Sequence, residues 1–72
     1  MQSNTVTTVD TDLLHAAGVL RDRAESLRAQ AWLLSAPLQT AYRRRASELE
    51  LEAFLAEVQS GLPYDQIHNA AA

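Results

Sequence analysis

Two histidines each stand three residues after an aspartate, His15 after Asp12 and His68 after Asp65. On a helix that spacing puts imidazole and carboxylate on one face, as a general acid–base pair requires. Catalysis also needs a cleft and a third group to orient the pair. Neither is evident beside either histidine, so both read as solvated. Glu48 and Glu52 form an i, i+4 carboxylate pair that could share a cation, while Glu50 points elsewhere. The Glu-x-x-His motif of di-iron bundles is missing. So are a Gly-rich phosphate loop and a nucleophile motif around the serines. With no cysteine in the chain, disulfides and thiolate metal sites are excluded. The expectation is a non-enzymatic protein with no cofactor and no metal.

The densest charged cluster is Arg43-Arg44-Arg45. It could grip a phosphate or an acidic partner. It could also be satisfied locally, with Arg44 meeting Glu48 at i+4 and Arg45 meeting it at i+3. These arginines come early in their helix, and Glu48, Glu50, Glu52 and Glu57 come later, against the helix dipole. An antiparallel copy of the same helix would relieve this, laying each basic end along the other's acidic half. The formal net charge of −3 gives no reason to expect nucleic-acid binding.

The elements that position these residues follow from periodicity. Leu13, Ala17, Leu20, Ala24, Leu27, Ala31 and Leu34 recur at alternating spacings of four and three, a heptad seam in which Leu and Ala take turns. Asp10 or Thr11 supplies the N-cap, and Pro37 disfavours helical backbone at Ala36. The spacing therefore predicts a helix over 11–35. The stretch 38–60 reads as a second helix, with Pro37 at its start and Gly61 as its C′ residue. A short third helix is expected over 63–70, and 1–9 as a flexible polar arm. Residues 10–72 then form one all-α hairpin domain.

The two seams fit each other when facing residues have numbers summing to about 73, as a short turn implies. Leu20 then faces Ala53, Ala24 faces Leu49, Leu27 faces Ala46 and Ala31 faces Tyr42, large against small at each layer. The same register puts Arg21 near Glu52 and Arg23 near Glu50. The second helix carries another apolar row on its far side: Leu51, Phe54, Leu55, Val58 and Leu62. The first helix cannot cover it. A 72-residue chain without disulfides usually closes such a gap by oligomerising. We therefore expect a homodimer or higher oligomer forming a helical bundle or coiled coil. Its interface would use the far-side row together with Arg43, Arg44 and Arg45. Trp32, just before the turn, is expected to plug the bundle's end, with an external binding hot spot as the alternative.

No apolar run approaches the ~18 residues of a membrane span, and the N-terminus has neither basic residues nor an apolar core of a Sec signal. A cytoplasmic location follows as the expectation. All basic residues are arginine and alanine is abundant, which suggests a GC-rich genome.

The opening VDTDLLHAAGVLRDRAESL resembles the start of the small helical-hairpin substrates of type VII secretion in actinobacteria, the Trp-x-Gly family. The resemblance implies two antiparallel helices, a dimer, no catalysis and export by a non-Sec route. In this chain Trp32 lies near the turn and Tyr64 follows the second helix. Leu34 stands where that family has glycine, and His68 where it has an acid. FLAEVQSGLPYDQIHNAAA is similar to the first two helices of a helix-turn-helix, which would imply a DNA-associated regulator. The chain ends before a recognition helix. The function expected is a protein–protein interaction module: an adaptor, regulator or assembly subunit.

Overall fold

A computed structural model describes residues 9–67. Helix α1 spans Thr11–Ala31 and helix α2 spans Ala36–Gln59, followed by a single 3-10 turn at Tyr64–Gln66. The two helices pack along each other as an antiparallel hairpin: residues 32–35 connect them at one end, and at the other the Asp10 N–H donates to the Ser60 carbonyl at 2.8 Å.

Asp10 caps α1, its Oδ1 accepting from the N–H groups of Asp12 at 3.0 Å and Leu13 at 3.2 Å. Two of the donors that a helix start leaves without partners are thereby satisfied. Asp12 in the first turn and Arg28 in the last both suit the dipole.

The helix ends at Ala31, four residues short of the expected Ser35. There the Leu33 N–H bonds to the Gln30 carbonyl and the Leu34 N–H to the Ala31 carbonyl, i to i−3 bonds that tighten the last turn. Reversing the chain takes Trp32 to Ser35, so Leu34 leaves the seam for the turn, where its carbonyl accepts from Gln39 Nε2 at 2.9 Å. Helix α2 begins at Ala36, with Ser35 extended as N-cap and Pro37 in the first turn. Ala36 is helical despite the steric bias against helical backbone before proline, and the missing N–H of Pro37 costs nothing in the first turn, where the helix has no partner for it. Gly61, at φ 89°, takes the left-handed C′ position that ends α2.

The expected helix over 63–70 is, in its described part, only the 3-10 turn; 68–70 lie outside the described residues, as do 1–8 of the expected arm. Pro63 and Ile67 on either side of that turn are extended, and this bend brings Ile67 inward to 6% exposure.

Ala17, Ala24, Ala31, Ala46 and Ala53 are buried together with Leu49, while Leu20 and Leu27 pack against the Ala24–Ala46–Leu49 cluster. Alanine at these levels lets the helices approach closely. Leu20 and Leu27, by contrast, keep an open flank, and Tyr42 is likewise half-buried. Among the described residues, Leu49 is the one large side chain that is fully buried.

Candidate interaction surface

The face of α2 turned away from α1 is where the chain leaves its apolar surface uncovered. Leu51 is 59% exposed, Leu55 47% and Val58 46%; Phe54 and Leu62 are half-buried. A second apolar patch lies at the turn, where Trp32 and Leu33 are 73% and 85% exposed and Leu38 is also open. Within its own hairpin Trp32 is not enclosed. With α1 finished at Ala31, its indole falls outside the seam and lies under the Arg43 guanidinium, 4.8 Å from the ring centroid. That stacking gives Arg43 a cation–π partner in place of a carboxylate.

The ion pairs differ from the register expected. Arg21 reaches Glu57, not Glu52, through Nη2–Oε1 at 2.6 Å and Nε–Oε2 at 3.4 Å. Glu50 pairs with Arg28, not Arg23, at 2.6 Å, and Arg28 also meets Ser47 Oγ at 3.4 Å. Both corrections have one cause. Helical side chains lean toward their own N-terminus, and in an antiparallel pair those leanings converge. A long pair therefore joins residues about five positions further apart in sequence than the seam contacts do. Arg45, rather than Arg44, holds Glu48 at 3.0 Å and lies 3.6 Å from Glu52.

Glu57 is 9% exposed and Ser60 2%. Sequence reasoning missed both as interior residues, treating Glu57 only as one of the late acids. The Ser60 hydroxyl donates to the Glu57 carbonyl at 2.6 Å and accepts from the Leu62 N–H at 3.3 Å. The convergent lean of side chains is the signal that could have located Glu57.

Charge is segregated along the hairpin. Between Ser26 and Ser47 stand Arg28, Arg43, Arg44 and Arg45 with no carboxylate, so all nine acidic residues of the chain fall outside that stretch, alongside only Arg21 and Arg23. The turn end is basic and the open end acidic. Helix α2 has no acid in its first turn and no base in its last.

His15 is exposed, and His68 lies outside the described residues. Among the described residues there is no group of three or more His, Cys, Asp or Glu that could hold a metal ion, and no helix long and apolar enough to cross a membrane. A scan against protein-family models, a search of curated proteins and a search of solved structures each returned no match.

Proposed function

We propose that the hairpin is a non-enzymatic protein–protein interaction module, an adaptor, regulator or assembly subunit that works in the cytoplasm as a homo-oligomer. The observation that carries this reading is the outward row of α2: Leu51, Leu55 and Val58 stand exposed beside a core in which, among the described residues, Leu49 is the one large side chain fully buried. Each is already about half buried, so covering the rest contributes roughly 1 kcal/mol apiece, which a protomer with an alanine-lined core needs. Soluble monomers rarely leave such a row bare. Sedimentation at micromolar concentration tests it. The wild-type chain should run above its 7.9 kDa protomer mass. Phe54→Glu combined with Leu55→Glu should leave a monomer or an unfolded chain. A well-folded wild-type monomer would falsify the reading.

One observation favours a second reading. Trp32 sits in the turn of a helical hairpin, where the type VII secretion substrates carry theirs. In that reading the protein is exported, and it should accumulate in culture filtrate only while that secretion machinery is intact.

A further inference from the structure

The outward face of α2 is not apolar along its whole length, and this restricts how a second copy can lie on it. At ~100° per residue, Thr40, Arg44, Ser47, Leu51, Leu55 and Val58 share the outward stripe, polar in its first half and apolar in its second. Arg43, Glu50 and Phe54 flank the stripe on one side; Arg45, Glu48 and Glu52 flank it on the other. A two-fold axis perpendicular to α2 brings like flanks of two copies together.

Two registers cover the apolar row. In the short one, centred between Phe54 and Leu55, apolar half meets apolar half. Only the helical stretch from Glu50 onward overlaps, about 15 Å at 1.5 Å per residue. The two acidic open ends are then forced side by side. In the long one, centred between Ser47 and Glu48, the whole 24-residue α2 overlaps its copy, about 36 Å. Facing residues then have numbers summing to about 95. Each apolar half lies under the partner's Thr40 and the aliphatic stem of the partner's Arg44. Along one flank Arg43 lies between the levels of the partner's Glu50 and the partner's Glu57, and along the other Arg45 lies near the partner's Glu52. The basic turn end of each chain runs beside the acidic open end of the other. The long register covers the same apolar rows, adds further buried length and replaces like-charge contact with opposite charge.

Trp32 gains a role in this arrangement. Arg43 holds the indole on the flank it shares with Phe54, at the level of Tyr42 in the hairpin. That level meets the partner's Phe54. We propose that the second copy seats antiparallel in the long register, with the two-fold axis beside Ser47, so that each chain's Trp32 docks over the partner's Phe54. This rests on the self-association proposed above and specifies its geometry.

The chain has no cysteine, so single cysteines report the register cleanly. Ser47 and Leu55 are both exposed, and full-length Ser47→Cys and Leu55→Cys chains should keep the wild-type helical circular dichroism. A disulfide needs Cα atoms within about 7 Å. Under mild oxidation Ser47→Cys should cross-link to itself as the main product, and Leu55→Cys should stay uncross-linked. The reverse result overturns the register while leaving self-association intact. Equal cross-linking of both, or of neither in a chain that still dimerises, also overturns it. A wild-type chain that sediments as a monomer removes the self-association itself. Trp32 is the sole tryptophan, so intrinsic fluorescence reads its docking directly. Emission should shift to the blue as concentration is raised through the range of association. An emission maximum that stays fixed while the mass doubles overturns the contact with the partner's Phe54.

Discussion

At the open end of the hairpin, Asp10 donates its N–H to Ser60, Arg21 holds Glu57 across the helices and Ile67 folds inward. At the turn end, Trp32, Leu33 and Leu38 stand in solvent, and Arg43 rests on an indole. The difference follows from connectivity. Where four residues join the helices, the chain itself holds them together at little entropic cost. At the other end nothing covalent does so, and polar contacts must close the gap. The turn end is thereby relieved of closing the hairpin, and its large side chains can stay exposed.

The contrast can be broken most sharply at Glu57. Glu57→Ala removes the carboxylate that meets Arg21, whose side chain is only 17% exposed. The expected loss is about 3 kcal/mol, at the low end for a buried pair because some solvent reaches it. Urea unfolding at fixed protein concentration measures it. Next comes Ser60→Ala, which takes the hydroxyl from the Glu57 carbonyl and the Leu62 N–H. A loss of about 1–2 kcal/mol is expected, with the midpoint lowered and the denaturant slope unchanged. The smallest effect belongs to the turn end. Trp32→Ala should change protomer stability by no more than about 0.5 kcal/mol in dilute solution. A deficit that grows as concentration is raised would belong to self-association, because binding stabilises by mass action. Equal losses at the two ends would remove the contrast.

The hairpin itself was legible in the amino-acid sequence because Leu and Ala alternate at heptad spacing. Ala24, Ala46, Leu49 and Ala53 could be placed at the seam from period alone, and they are buried. Helix ends were less legible. Leu34 continues the heptad, yet the chain must spend Trp32 to Ser35 on reversal, a demand that periodicity does not register. The cross-helix ion pairs were misplaced for a geometric reason. A register deduced from Cα levels ignores the lean of long side chains, which carries Arg21 past Glu52 to Glu57. The outward row of α2 was also visible as Leu51, Leu55 and Val58. What covers it was not, because a helical pattern records that a face is apolar and leaves out the surface that meets it.

The clasp at the open end also bears on how the hairpin comes and goes in time. Its cross-links lengthen in sequence away from the turn: Gln39 to Leu34 spans 5 residues, Arg28 to Glu50 spans 22 and Arg21 to Glu57 spans 36. Loop closure favours the nearest contacts first, so the helices zip outward from the turn; the Arg21–Glu57 pair closes late, and the Asp10 to Ser60 hydrogen bond beyond it closes last. Contacts that form after the transition state govern escape from the native state rather than arrival at it. The open end therefore sets the lifetime of the folded hairpin, and the turn end sets how quickly it forms.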